Sequence, residues 1–304
     1  MEYAVEARGL VKRFDGATAV DGIDLAVPAG SIYGVLGPNG AGKTTTLRML
    51  LGIIDPDGGS RTLLGHADPL AVADRVGYLP EERGLYQQMT AREVIAFLGS
   101  LRGLPLGEGR RRADALLEEN GLPPTRKVRA LSKGMAQTVQ LLGTIVHRPR
   151  LIVLDEPFSG LDAINQAKLE RLIRAQAEAG ATILFSTHVI AHAERLCERI
   201  AIIAGGKVRF EGSVEEARGQ LMPRVRLTTR AEDGPWRAAL PADAERANGV
   251  WGFDLPPGGI EPLLSALIEG GAGIESLSIE RPGLHDAFVA IVGATPEPAE
   301  PIAA

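Results

Sequence analysis

The chain opens on alternation. Tyr3, Val5 and Ala7 recur at every second position, Asp15-Gly16 breaks the run, and Ile23, Leu25 and Val27 alternate again before Ala29-Gly30. A period of two with glycine punctuation predicts half-buried strands joined by turns, hence an antiparallel start. From residue 31 the pattern changes. Ile32 to Leu36 is a continuous apolar run, followed by a glycine-rich turn and by apolar residues on helical spacing over Thr45 to Leu51. Leu151 to Leu154 and Thr182 to Phe185 repeat the buried-strand pattern, and Leu169, Leu172 and Ile173 mark a helix between them that ends at Gly180. Buried strands alternating with helices predict a parallel α/β sheet. Residues 85–147 are mostly helical in pattern, so a helical insertion interrupts that core. Ile202 to Ala204, Gly205-Gly206 and Val208 to Phe210 predict a hairpin, and Ser213 with Glu216 forms a capping-box pattern for a short helix.

Around Pro223 the pattern changes again. Val225 and Leu227 begin a strand, Trp251 to Leu255 and Ile274 to Ile279 read as others, and Leu263 to Ile268 and Leu284 to Val292 read as helices. The expected division is therefore a large domain over 1–222, a small α+β domain over 223–293, and a Pro- and Ala-rich tail over 294–304 expected to be disordered. In the small domain, Leu263, Leu267 and Ile268 are read first as core and second as a contact surface.

Composition narrows the class. With 304 residues, 45% of them hydrophobic, the chain can bury a sizeable core, which excludes a disordered or collagen-like protein. A formal charge of −5 gives no global basic field, so nucleic acid is not an expected partner. The compact basic run Arg110-Arg111-Arg112 reads as a solvated helix face. No apolar run approaches the roughly 18 residues of a membrane span, and the single Cys197 allows no internal disulfide.

The candidate chemistry lies where strands end. Gly37-Pro38-Asn39-Gly40-Ala41-Gly42-Lys43-Thr44 fits the phosphate-binding pattern G-x-x-x-x-G-K-[ST], after a buried strand and before a helix. Gly40 and Gly42 let backbone amides wrap phosphates, Lys43 reaches the β- and γ-phosphates, and the Thr44 hydroxyl suits Mg2+. Leu151 to Leu154 ends in Asp155-Glu156. Alone, two acids after a strand read equally well as a helix cap; beside a phosphate loop they become a Mg2+ ligand and a base for attacking water. His188 follows another core strand, near where a γ-phosphate would lie, although a lone histidine there also serves as a structural hydrogen-bond partner. His66, His147, His192 and His285 have no such context and read as structural. Ser132, before the apolar face of Val139, Leu141 and Leu142, is first a helix N-cap; with Gly134 it also exposes amides to an anion.

Taken together, these motifs resemble the ATP-binding cassette of ABC transporters over about residues 3–218. Gly37 to Thr45 is similar to the Walker A loop, with Thr45 at the position that supports the α-phosphate. Leu131-Ser132-Lys133-Gly134-Met135 is similar to the LSGGQ signature, Leu151 to Asp155 to the Walker B strand, Ser159-Gly160-Leu161-Asp162 to the D-loop, and His188 to the switch histidine. Phe14 sits where the family stacks an aromatic on adenine, a position that suits a core role equally. The resemblance implies a P-loop NTPase core of the ABC type, with a parallel sheet, an antiparallel β subdomain and a helical insertion, followed by the small α+β domain. It implies ATP and Mg2+, with Thr44, Asp155 and Glu81 as metal oxygens and Glu156, His188 and Lys43 as catalytic groups. It further implies separately encoded transmembrane permease subunits, a second ATP-binding subunit as homo- or heterodimer with Ser132 acting in trans, and a place on the cytoplasmic face of the cell membrane.

Two departures stand out. Gly77-Tyr78-Leu79-Pro80 is followed by Glu81 where the family has Gln, and Lys133 and Met135 replace Gly and Gln of the signature. The run Tyr78 to Tyr86, the Ser-Lys-Gly-Met signature and the small C-terminal domain are similar to the exporter subgroup for sodium or drug efflux. The competing expectation is a soluble ABC-type ATPase acting on ribosomes or nucleic acid, which one uninterrupted acidic cassette fits poorly.

Overall fold

β1 (Tyr3–Phe14) and β2 (Ala17–Pro28) are longer than the short strands expected, and their antiparallel pairing matches Ala7 with Leu25 and Leu10 with Ile23. This computed structural model describes residues 2–82 and 84–293; the expected tail over 294–304 lies outside them. β3 (Ile32–Leu36) is buried at every position and leads into α1 (Lys43–Leu50), which begins two residues before the apolar periodicity does. β4 (Gly58–Leu63), not expected from the sequence, completes a sheet of order β2-β1-β4 by pairing antiparallel with β1.

The central sheet has six strands. β5 (Val76–Leu79) precedes the helical segment of α2 (Ala91–Ser100), α3 (Leu106–Glu119) and α4 (Lys133–Ile145). After it come β6 (Leu151–Asp155), α5 (Ala163–Glu178), β7 (Thr182–Thr187), α6 (Ile190–Leu196), the hairpin β8 (Arg199–Ala204) and β9 (Lys207–Ser213), and α7 (Val214–Arg218). The order β5-β6-β7-β3-β8-β9 is parallel except for the last pair. Side chains of a strand alternate between faces. Tyr33, Val35, Val153, Leu184, Ala201 and Ile203 accordingly join Leu47, Met49 and Leu50 of α1 and Leu10, Ile23 and Leu25 of the antiparallel sheet in one core. Each such buried aliphatic side chain contributes about 1.5–3 kcal/mol.

Helix starts in this unit are held by side chains. Thr90 and Glu93 form a reciprocal capping box on α2, Ser132 caps α4 and Asp162 caps α5. Arg111 and Arg112 pair with Glu108 on α3; Arg110 and Arg111 are exposed, whereas Arg112 is half-buried and also donates to the Val146 carbonyl at 3.1 Å, so only part of the basic run lies on a solvated face.

Backbone packing separates two compact units, one comprising the chain to Val214 together with the described residues from Ile291 on, and the other Glu215–Ala290, so that the last residues of the final helix fall to the first unit. The sheet of the second unit begins just past Pro223. It comprises β10 (Arg224–Thr229), β11 (Glu245–Ala247), β12 (Val250–Asp254) and β13 (Ile274–Glu280) in the order β11-β12-β10-β13, with α8 (Glu261–Glu269) between β12 and β13 and α9 (Leu284–Gly293) after them. Val225, Leu227, Trp236, Trp251, Phe253, Leu263 and Leu267 form its core. Ile268, expected beside Leu267 in the core or on a contact surface, is 69% exposed.

Candidate functional site

Parallel register brings four strand ends to one level. β3 pairs with β7 up to Leu36 and Thr187, β7 pairs Ser186 with Asp155 of β6, and β6 pairs Leu154 with Leu79 of β5. Open α/β sheets place their ligand groups at the carboxyl ends of such strands. Here those ends carry the loop before Lys43, the acids Asp155-Glu156, the segment to His188 and the segment to Glu81.

The loop Gly37 to Gly42 is glycine-dependent at both ends. A Cβ on Gly37 would overlap the carbonyl oxygen of Ile203; Gly42 has φ of 101°, and a Cβ there would lie 2.5 Å from the oxygen of Ala19. Within the loop Pro38, Asn39 and Gly40 are exposed and Ala41 is buried. Lys43 opens α1 and is buried. Its Nζ donates to the carbonyls of Gly37 (2.8 Å) and Pro38 (3.0 Å) and lies 3.4 Å from Glu156 Oε1. Thr44 Oγ1 donates to Asp155 Oδ1 at 3.0 Å, and Thr45 follows, half-buried, on α1.

Asp155 ends β6 with no exposed surface. Burial pushes its carboxyl above the usual carboxylate range, while hydrogen bonds from Ser186 and Thr44 pull it back. Oδ1 accepts from Ser186 Oγ at 2.6 Å as well as from Thr44, and Oδ2 is buried with no partner among the described residues. Ser186 Oγ in turn accepts from the Glu156 amide at 3.0 Å. Glu156 has a left-handed backbone, φ 46°, which costs a non-glycine residue roughly 1–2 kcal/mol. Its carboxylate is held by Lys43 on Oε1 and by His188 Nδ1, 3.0 Å from Oε2. A carboxylate only accepts, so the His188 proton sits on Nδ1.

Lys43, Thr44, Asp155, Glu156 and His188, expected from the sequence, thus meet in one cluster. Ser186 joins it unforeseen. Its signal was available in the pattern: a hydroxyl at the end of an apolar strand that follows the Asp-Glu strand and is parallel to it. Glu81 is exposed beyond β5 and lines a cavity of about 450 Å3 with Glu82, Lys133, Gln137, Glu156 and Ser159. Ser132 Oγ accepts from the Met135 amide at 3.2 Å and makes no hydrogen bond to the cluster among the described residues. Gly134 packs so closely on Asn165, itself held by Asp162, that a Cβ would overlap its side chain. Phe14 is 46% exposed at the end of β1, with Lys12 Nζ 5.6 Å from its ring centroid, so it is no core residue. His192 is buried, stacks on Phe158 at 4.0 Å and pairs with Glu170, a structural arrangement.

The oxygens of this site fit a hard divalent cation: an unpartnered buried carboxylate oxygen of Asp155 with the Thr44 hydroxyl beside it. Among the described residues no three His, Cys, Asp or Glu converge on one point, so the protein oxygens would be few. A small set of hard oxygens of this kind is compatible with Mg2+.

A family model described as ABC transporter matches residues 20–159. The chain is 35% identical over 294 residues to an uncharacterized ABC transporter ATP-binding protein, YhaQ, of Bacillus subtilis (strain 168), covering 95% of this chain and 98% of that one. It is 34% identical over 307 residues to the daunorubicin/doxorubicin resistance ATP-binding protein DrrA of Streptomyces peucetius, covering 95% and 92%. A solved structure titled as the ATP binding subunit of an ABC transporter superposes with a TM-score of 0.66 at 31% identity, covering 71% of this chain and 92% of that one.

Proposed function

The chain belongs to the ATP-binding proteins of ABC transporters, and from that premise we propose how its residues divide the work. As such a subunit it binds and hydrolyses ATP to drive transport by separate transmembrane subunits. The amides of Gly37 to Thr45 and the Lys43 ammonium take the phosphates, and exposed Phe14 stacks on adenine. Glu156 accepts the proton of the attacking water, with His188 orienting its carboxylate from Oε2. Ser186 fixes the direction of both acids by bonding Asp155 and the Glu156 amide together. Thr44, Asp155 and Glu81 would hold Mg2+, which would supply positive charge against the phosphates. Ser132 and Gly134 act on the nucleotide of a second ATP-binding subunit, reached in a head-to-tail dimer.

The observation that carries this reading is the Lys43–Glu156–His188 chain of contacts beside the Asp155–Ser186–Thr44 hydrogen bonds. Glu156→Gln tests it: the variant binds ATP, accumulates as an ATP-bound dimer and loses turnover by at least about a hundredfold. Phosphate release at the normal rate would refute the assignment.

The membrane partner meets the segment Glu81 to Met89 on this reading. Beside it runs a groove of about 360 Å3 lined by Tyr78, Pro80, Leu85, Leu98 and Leu101, and Tyr86 and Leu101 are 54% and 63% exposed. No helix among the described residues is long and apolar enough to cross a membrane; peripheral attachment at the cytoplasmic face of the cell membrane is proposed from the family alone. Export of a drug or an ion is the transport direction we favour, from the resistance named for the Streptomyces relative and the subgroup resemblance of the Tyr78 to Tyr86 run. Co-purification with a membrane protein, and loss of that protein on Tyr86→Asp, checks the contact.

A further inference from the structure

We propose that Lys133 is the counter-ion of Glu81 within the same chain, and that it neutralises the negative charge this carboxylate would otherwise impose on an incoming nucleotide. The inference deepens the nucleotide-site reading and rests on it. The two side chains lie far apart in sequence but line one cavity of about 450 Å3, together with Glu82, Gln137, Glu156 and Ser159. Three of those six residues are glutamates and one is a cation. Glu156 already has Lys43 and His188 as partners, whereas Glu81, Glu82 and Lys133 have no hydrogen bond or ion pair among the described residues. The cavity leads to the catalytic cluster, because Glu156 is common to both.

Lys133 is directed to this place. It is the first residue of α4, and its ammonium lies against Gly160, where any Cβ would overlap Nζ and stand 2.8 Å from Cε. Gly160 has φ of 65°, a backbone conformation that favours glycine, and the absence of a side chain there leaves room for the lysine amine. Lys133 is exposed, with its amine lying over the loop that follows Glu156. A cavity of this size is on the order of 10 Å across, about one Debye length in physiological salt, so its charges act on one another and on phosphates at its inner end. Among the described residues that line this cavity, Lys133 is the cation beside the exposed acids Glu81 and Glu82.

The test is equilibrium binding of a fluorescent ATP analogue in EDTA. Full-length protein is diluted until sedimentation shows single chains, so that neither divalent cation nor a second subunit contributes. At low salt, Lys133→Met keeps the stem over Gly160 but weakens binding about threefold, as expected for one charge at this range. Glu81→Gln tightens it by a similar factor, the double variant returns to the wild-type value, and Lys133→Arg matches wild type. Both differences fall below twofold at 0.5 M salt. Unchanged affinity in Lys133→Met, or failure of Glu81→Gln to restore it, overturns the proposal, as does an effect that survives high salt. Failure of the wild-type chain to bind the analogue, or unaltered binding in Lys43→Ala, would instead refute the nucleotide-site reading itself.

Discussion

Ser186→Ala isolates the one residue that joins the two acids. In the wild type its hydroxyl donates to Asp155 Oδ1 at 2.6 Å and accepts from the Glu156 amide at 3.0 Å, and all three residues are buried. Alanine leaves a buried N–H without a partner, at about 1–3 kcal/mol, and takes from a carboxylate a bond worth about 1.5–3 kcal/mol. The losses share one network and do not simply add, so about 3–4 kcal/mol is expected near pH 7. The pH dependence has a definite sign. Burial raises the Asp155 carboxyl and the Ser186 hydrogen bond opposes that rise, so removing it raises the carboxyl further. A raised carboxyl contributes stability that is complete below its unfolded value and is lost as pH climbs through the folded one. The penalty of the variant is therefore smallest near pH 4–5 and grows towards pH 7.5. Both tryptophans, Trp236 and Trp251, lie in the second unit, so their emission does not report on this site. Urea unfolding followed by far-UV circular dichroism at pH 5, 6 and 7.5 is the assay. A penalty under about 1 kcal/mol at pH 7.5, or one larger at pH 5, would refute the assignment of these hydrogen bonds.

Phe14→Ala removes a side chain that is 46% exposed, so stability changes by no more than about 0.5 kcal/mol while ATP affinity falls roughly fivefold. Equal affinity in a nucleotide titration would remove Phe14 from the adenine site. Gly42→Ala forces a Cβ into a φ of 101° and within 2.5 Å of the Ala19 oxygen. The expected result is loss of ATP binding with at least about 2 kcal/mol of destabilisation, and calorimetry with a binding titration checks both. Leu227→Ala empties a fully buried position on β10, costing about 2–5 kcal/mol. There the emission of Trp236 and Trp251 is the direct probe, and an unchanged urea midpoint would contradict the core described for that unit.

What could be read from the sequence was whatever local pattern determines. The phosphate loop is eight consecutive residues, and the buried strands β3, β6 and β7 are continuous apolar runs, so neither needed knowledge of its neighbours. β4 had no such signature. Its sequence Gly-Gly-Ser-Arg-Thr-Leu neither alternates nor favours a strand, and it is extended because β1 supplies its hydrogen-bond partners. β5 is only four residues long, too short for a period of two to mark it. The start of α1 was placed two residues late because periodicity counts apolar positions, whereas Lys43 and Thr44 are polar residues used by the site. Phe14 was undecidable between core and ligand because exposure at the end of a strand depends on what else packs there. Ser186 was visible as a residue but not as a partner, since its role follows from the register that sets it opposite Asp155.

That register also explains why the site could not be assembled in chain order. In sequence the relevant segments come as Lys43, Glu81, Asp155-Glu156 and Ser186 to His188; in the sheet they follow β3, β5, β6 and β7, whose order across it is β5-β6-β7-β3. The strand inserted between β6 and β3 is the one that carries Ser186, which is why a hydroxyl, small enough to sit between them, touches Asp155 and Glu156 while Lys43 arrives from the next strand over. Lys43 then spends its ammonium on the carbonyls of its own loop and on Glu156. On the proposed reading, a phosphate taken by Lys43 competes with those contacts, one of which holds Glu156. His188, 43% exposed, remains on the other oxygen. The two oxygens of Glu156 are thus held from different strands, Oε1 by Lys43 after β3 and Oε2 by His188 after β7, an arrangement set by strand order.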